Sequence, residues 1–344
     1  MIKPTKTRPP DHPGRLGVIF LLFAAFIIPH VYGGDFRAIT LSTIKSRPLA
    51  MGGAFMSVED QLAAIDFNPA TLMLHSSTHY SRFAVYFNPL GPVSMLTNRE
   101  KRLGWETYLG WIIRGAAFSF GRFRFGFILG EENLRYSEGQ KGSDFLNAEA
   151  YDGNNNSSFA VSVALAARVS LGIAGELFVR EHNGVRKIFL GYRYGVLLKA
   201  RNTLNIGLCF IDFPNEYRED RMALERLADE TLNIGLSYSL YNYAKISLDI
   251  RNVSDDGKGA IREPHIGIEV TPTRHLALRG GYFLQIGEDS ATYSLGIGLF
   301  DWSVLFTDER ATIPATYGLN AAFLYQREKG SETMYFMLTL LARI

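Results

Sequence analysis

Beyond residue 78, hydrophobic and polar positions alternate with a period of two. Leu232, Ile234, Leu236, Tyr238 and Leu240 interleave with Thr231, Asn233, Gly235, Ser237 and Ser239, and Ala244, Ile246, Leu248 and Ile250 interleave with Lys245, Ser247, Asp249 and Arg251. Successive side chains of a strand point to opposite faces, so each run predicts a strand with one apolar and one polar or small face. The hexapeptide Thr203–Leu208 recurs unchanged at 231–236, which reads as one strand environment used twice. Similar runs cover 122–131, 157–168, 170–180, 187–199, 261–271, 274–284, 291–300, 315–326 and 332–344.

The polar face carries Arg124, Arg168, Glu176, Arg180, Lys187, Arg193, Lys199, Lys245, Asp249, Arg251, Glu269 and Arg279, mixed with Gly and Ser. Burying that many ions in a dry sandwich core would cost several kcal/mol apiece unless they were paired. They must therefore meet water or each other. The apolar face then turns outward and needs lipid, which is the pattern of a transmembrane antiparallel β-barrel. Phe118, Phe120, Phe123, Phe125 and Phe127, with Tyr192, Tyr194, Tyr238, Tyr282 and Trp302, suit interfacial girdles. An open strand edge in lipid would strand backbone N–H and C=O groups, so the sheet has to close on itself.

Longer connections at 88–104, 132–156, 181–186, 213–229, 253–260 and 285–290 alternate with tight ones near Gly121, Ser170, Arg201, Asn242, Thr273 and Asp301. Short periplasmic turns and longer external loops put residue 79 on the periplasmic side. The runs give 15 candidates, whereas termini on one side require an even number. Either 79–87 is not a wall strand, or 291–308 is one strand split at Asp301. The expected architecture is all-β, with about 14 wall strands in 79–344.

The first 33 residues read differently. Lys3, Lys6, Arg8 and Arg15 precede a 13-residue apolar run, Leu16–Ile28, and Gly33 offers a small residue for cleavage. The run is shorter than the ~20 residues a spanning helix needs, so 1–33 is expected to be a secretory signal peptide. Its removal leaves 32 basic and 33 acidic residues, which implies no nucleic-acid partner. With 47% hydrophobic residues and a single cysteine, Cys209, the chain is neither disordered nor a disulfide scaffold. No other stretch approaches ~18 consecutive apolar residues, so helical spans are not expected.

Residues 34–78 break the alternation and read as a compact periplasmic or lumenal plug. They hold Met51-Gly52-Gly53-Ala54-Phe55, the acidic pair Glu59 and Asp60, Leu62-Ala63-Ala64-Ile65, and Asn68-Pro69-Ala70. Paired glycines permit close backbone approach, and Pro69 keeps Asn68 out of the helical region. Here the sequence resembles the FadL-like outer-membrane barrels, especially their PorV/PorQ branch, which show these three parts in this order behind an export signal. That branch usually has Gly after Asn-Pro-Ala, where this chain has Thr71. The resemblance implies a 14-stranded barrel in the outer membrane of a Gram-negative-type bacterium, with the N-terminal segment inside as a hatch. The hatch residues it marks are Met51, Gly52, Gly53, Phe55, Asn68, Pro69 and Ala70. Arg168, Glu176, Arg193, Asp249 and Arg279 are the candidate lumen charges.

Chemistry is scarce. There is no Gly-x-Ser-x-Gly, His-Glu-x-x-His or Cys-x-x-Cys. His75 and His79 are four apart in a segment read as extended, where they face water, and Asp255–Gly259 lacks the later glutamate of a calcium loop. Glu131-Glu132 reads as a strand end. No spacing singles out a nucleophile for His265, so an enzyme is not expected, nor a cofactor or metal. Two functions remain: passive transport of hydrophobic or amphipathic molecules, or a PorV-like part in protein secretion or surface attachment. The expected partners are outer-membrane lipid and either a hydrophobic small-molecule ligand or exported proteins.

Overall fold

The alternation appears as alternating burial with its sense inverted. Along Thr231–Leu240 the side chains of Thr231, Asn233 and Ser237 are buried while Ile234, Leu236 and Tyr238 are exposed. In the next strand Ser247, Asp249 and Arg251 are buried, and Leu248 and Ile250 are exposed. A water-soluble sheet buries the opposite set, so the outer surface here is built for acyl chains.

The computed structural model describes residues 35–40, 44–60, 62–72, 81–87, 109, 112–132, 154–182, 185–213, 230–240, 243–254, 262–273, 275–286, 290–301, 317–328, 331–340 and 342–343. The expected signal peptide, His75 and His79, the 213–229 loop beyond Phe213, and Asp255–Gly259 lie outside them. The described strands are β1 (Asp35–Thr40), β2 (Ser81–Phe87), β3 (Ile113–Phe120), β4 (Phe123–Glu132), β5 (Asn154–Ala166), β6 (Val169–His182), β7 (Val185–Arg201) and β8 (Leu204–Asp212). They continue with β9 (Thr231–Leu240), β10 (Ala244–Arg251), β11 (Glu263–Thr273), β12 (Leu276–Gln285), β13 (Ser290–Asp301), β14 (Tyr317–Glu328), β15 (Ser331–Leu340) and β16 (Ala342–Arg343).

Consecutive strands from β2 to β15 pair antiparallel in a single sheet. After one residue β15 continues as β16, which pairs with β2 through Ala342↔Val85 and Arg343↔Ala84 and so closes the ring. Counting β15 and β16 as one strand, the wall is a transmembrane β-barrel of 14 strands. Residues 81–87 are therefore a wall strand. The surplus candidate lay after Asp301. Since β13 pairs directly with β14, from Ala291↔Arg327 to Asp301↔Tyr317, the wall has no place for a strand there. The tight turn expected near Asp301 is also corrected, because 302–316 separate the two strands. Conversely, the 181–186 connection shrinks to 183–184, since β6 and β7 both run past the point where alternation weakens.

The segment expected as a plug over 34–78 divides. Residues 35–40 form β1, which lies parallel to β15 from Asp35↔Thr333 to Thr40↔Met337. Residues 44–72 fold as the hatch: a one-turn helix α1 (Ser46–Ala50), a glycine turn, and 3-10 turns at Ala63–Asp66 and Pro69–Thr71. Gly52 and Gly53 take φ of +60° and +70°, which reverses the chain immediately after α1.

The hatch forms the core of the barrel. Ile44, Leu62, Ala64, Ile65 and Leu72 pack on Tyr86, Ala117, Ile128, Ala160 and Ala174 of β2–β6. Leu49 and Ala50 pack on Phe283, Ala322, Leu324, Tyr335 and Met337. Each large side chain so buried contributes on the order of 1.5–3 kcal/mol, and a sheet that shows its oily face to lipid has no other dry interior.

Candidate functional site

An irregular segment has more backbone donors and acceptors than it can pair internally, and buried ones must find partners. The polar inner face of the wall supplies them. Asp249 on β10 accepts hydrogen bonds from Phe55 N (2.5 Å) and Met56 N (2.8 Å). Its neighbour Arg251 donates to Gly53 O (2.5 Å), and His265 Nδ1 on β11 donates to Gly52 O (2.6 Å). Ser294 accepts from Gly52 N (2.9 Å) and donates to Ala50 O (3.1 Å), and Ser237 donates to Ser57 O (3.0 Å). Glu131, read from the sequence only as a strand end, accepts from Ile44 N (3.1 Å).

Asn68 holds the other end of the hatch. Its Oδ1 accepts from Ala70 N (3.1 Å), and its Nδ2 donates to Met56 O (2.7 Å) and to two wall carbonyls, Val196 O and Leu208 O (3.3 Å each). Thr71, at the position where the resembling family has Gly, donates through Oγ1 to Asn68 O (2.8 Å), so the hydroxyl ties the same turn. Replacing Asn68 with Ala leaves the buried Met56 carbonyl without its side-chain donor, at about 1–3 kcal/mol for such a group. Asn68→Ala is expected to lower stability by about 2 kcal/mol, read as an earlier midpoint in urea unfolding of the detergent-bound protein.

Two of the charge groups are built on Lys45, Arg47 and Asp66 of the hatch. Arg47 of α1 makes paired bonds to Glu269 on β11, Nε to Oε2 at 2.9 Å and Nη2 to Oε1 at 2.7 Å, and a third to Asp60 Oδ2 at 2.9 Å. Arg279 on β12 donates to the same Glu269 (2.7 Å) and to Asn320 (2.9 Å). Burial acts to lower the Arg47 pKa, but the carboxylates of Glu269 and Asp60 together hold it above its ordinary value. In the second group Arg193 reaches Glu176 (2.7 Å) and Asp66 (3.6 Å), and Lys45 reaches Asp66 (3.4 Å).

Of the candidate lumen charges, Glu176, Arg193, Asp249 and Arg279 thus face the hatch or its charge partners. Arg168 does not, because it occupies the exposed turn between β5 and β6, where its carbonyl accepts from Lys199 N. At this level the inward-facing ions meet the hatch and each other. Sequence reasoning missed Lys45, Arg47 and Asp66 as members of the charge clusters; charged residues beside an apolar, alanine-rich stretch were the available signal. His265 is bonded to the hatch and to Glu263 (3.3 Å) and stacked on Phe283.

Where hatch and wall backbones touch, the wall carries glycine. A Cβ on Gly172 or Gly195 would run into Asn68, Pro69 or Ala70, one on Gly207 into Met56, and one on Gly267 or Gly281 into Met51 or Gly52. All seven hatch residues singled out from the sequence are accordingly buried. On the side of the longer loops, Met51, Phe55, Met56 and Phe67 of the hatch meet Phe178, Cys209, Ile211 and Phe213, with Phe189 against their edge. Cys209 is a buried free thiol there.

These contacts define a transmembrane barrel with residues 44–72 packed against the inner face of its wall. No protein-family model matches the chain, and no curated protein matches it. Among solved structures, the Ralstonia pickettii toluene transporter TbuX is similar at 12% identity, over 88% of this chain and 98% of that one, with a TM-score of 0.45. The CymD monoaromatic hydrocarbon channel is similar at 11% identity, over 88% and 97%, with a TM-score of 0.47. A Rhodopseudomonas blastica porin mutant is similar at 10% identity over 67% and 77%, with a TM-score of 0.34. At these identities the likeness is one of fold.

Proposed function

We propose that the chain, after removal of residues 1–33, is a FadL-like barrel of the PorV/PorQ branch in the outer membrane of a Gram-negative-type bacterium. It passes hydrophobic or amphipathic small molecules passively, with the hatch as gate. The supporting observation is the cluster of Phe, Met and Ile side chains on the long-loop side of the hatch. Phe178, Ile211 and Phe213, covered by the hatch here, would give an apolar body a landing surface between β6 and β8 once the hatch moves.

The test is entry of the dye N-phenyl-1-naphthylamine into intact cells. Phe189→Glu puts a charge at the cluster's edge and is expected to cut the initial rate at least tenfold, with Phe189→Leu near the unmodified rate. Equal rates for the three proteins, or a rate no higher than in cells lacking the chain, would sink this reading.

The second reading is a PorV-like component of secretion or surface attachment, with no small-molecule passage. One observation favours it: glycines on five wall strands, β6, β7, β8, β11 and β12, let the hatch backbone lie directly against the barrel, leaving little slack. Affinity capture from intact outer membranes that recovers no exported protein would count against it.

A further inference from the structure

Next to the bonds that hold the hatch, the inner wall carries a second polar row. One step along each strand toward the longer loops, Asp249 gives way to Arg251 on β10, His265 to Glu263 on β11 and Phe283 to Gln285 on β12. Arg251 and Glu263 are directly opposite in register, Gln285 donates to Glu263 (3.0 Å), and Asn233 on β9 continues the row past Arg251. All four side chains are buried, and so are Thr231 on β9 and Thr292 on β13 at its two ends.

The row is held in place by some of its polar atoms and leaves others unmatched. Asn233 Oδ1 accepts from Asn252 N (2.8 Å), and its Nδ2 has no acceptor. Arg251 donates through Nη2 to Gly53 O and keeps Nε over, and Gln285 donates through Nε2 and keeps Oε1 over. The hydroxyls of Thr231 and Thr292 have no partner either. Buried polar groups are nearly always matched, so five such atoms along β9–β13 point to a molecule that supplies their partners.

The chemistry of these atoms selects that molecule. Asn233 Nδ2 and Arg251 Nε only donate, Gln285 Oε1 only accepts, and the two hydroxyls do either. A carboxylate would satisfy the donors but lie against Gln285 Oε1 and the Glu263 carboxylate, and an ammonium would lie beside the Arg251 guanidinium. Hydroxyl groups serve both kinds of partner without a charge. Neighbouring strands are about 4.8 Å apart, so Asn233 on β9 and Gln285 on β12 span about 14 Å of wall, more than one small head group covers and suited to linked sugar rings. The row also starts where the apolar cluster ends, since Asn233 pairs with Cys209 and Thr231 with Ile211.

We propose that β9–β13 form a binding row for the uncharged saccharide head of an amphiphile whose apolar tail lies toward Cys209, Ile211 and Phe213. The assignment rests on the passage reading and narrows its substrates to amphiphiles with a neutral, hydroxylated head.

The probes are n-octyl β-D-maltoside, kept well below its micelle concentration, and octanoate, which pair similar tails with different heads. Equilibrium dialysis against the full chain in nanodiscs, with empty discs subtracted, should show the maltoside bound at least tenfold more tightly. Thr231→Val combined with Thr292→Val removes two hydroxyls that bond to nothing within the chain. Its urea midpoint should therefore not fall, while its affinity for the maltoside drops at least tenfold and that for octanoate holds. Equal maltoside affinity in the two proteins, octanoate bound as tightly as the maltoside, or no maltoside bound beyond empty discs overturns the saccharide row. The dye N-phenyl-1-naphthylamine carries no hydroxyl, so its entry into cells reports passage separately, and the double variant should admit it at the unmodified rate. Normal dye entry with no maltoside preference removes this inference and keeps passage. A dye rate no higher than in cells lacking the chain removes passage, and the substrate assignment with it.

Discussion

Gly281→Val is expected to lower the unfolding free energy by about 3 kcal/mol or more and to expose the hatch to protease. Gly281 on β12 faces Gly52, and a Cβ there would meet the Gly52 N and Met51 C backbone atoms. Overpacking usually costs 1–3 kcal/mol because side chains shift to make room. Here the obstacle is backbone. Gly52 cannot retreat, because Ser294 and His265 bind its N–H and carbonyl. A Cβ on Gly52 itself would lie 2.6 Å from Tyr282 N and 2.8 Å from Ile266 O, at a φ that side chains avoid. Gly175 provides the control, since an added Cβ there meets nothing within 4 Å. Gly175→Val should stay within about 0.5 kcal/mol, as surface changes do. Urea unfolding of the two variants in one detergent decides the matter, and coincident midpoints would show that the hatch does not press on the wall.

Glu269→Leu is expected to cost about 3–5 kcal/mol, the range for breaking a buried ion pair by removing one partner. Glu269 is the single carboxylate shared by Arg47 from the hatch and Arg279 from the wall. Without it Arg47 keeps its bond to Asp60, and the fully buried Arg279 its bond to Asn320, but both lose the carboxylate they share. The penalty arises from the charge left behind more than from the bond lost. Adding Arg279→Met to Glu269→Leu should therefore recover part of the stability, a non-additivity expected of residues in one network. Midpoints that fall further in the double variant, by the sum of the two single losses, would contradict the shared-carboxylate arrangement.

Much of the wall was legible in the sequence because strand alternation is local. Each of Ile234, Leu236 and Tyr238 is two residues from the next, and period two alone assigns them to one face. The hatch motifs were legible for a related reason: paired glycines and an Asn-Pro step have few backbone alternatives. The bond from Ala70 N to Asn68 Oδ1 is of the local kind that an asparagine before a turn favours. The reach of Asn68 to Val196 O and Leu208 O, well over a hundred residues away in sequence, had no local signal. Arg168 shows the reverse failure. Alternation assigned it to the inner face, but the strand ends at Ala166 and the residue sits in the turn.

The sequence by itself determined that the chain makes one closed antiparallel barrel with its oily face outward, because ions on one side of each ribbon and aliphatics on the other leave no alternative in a bilayer. It also determined that residues around 50–70 belong to no wall strand. Only the tertiary structure decided what the inner ions do, since a charge facing inward can meet water, a ligand or another segment, and its own neighbours carry no record of which. Here Asp249, Arg251, Glu269 and His265 bond to the hatch. Likewise only the assembled sheet revealed that Asp35–Thr40 fills the seam beside β15, because that pairing depends on an edge created some three hundred residues later in the chain.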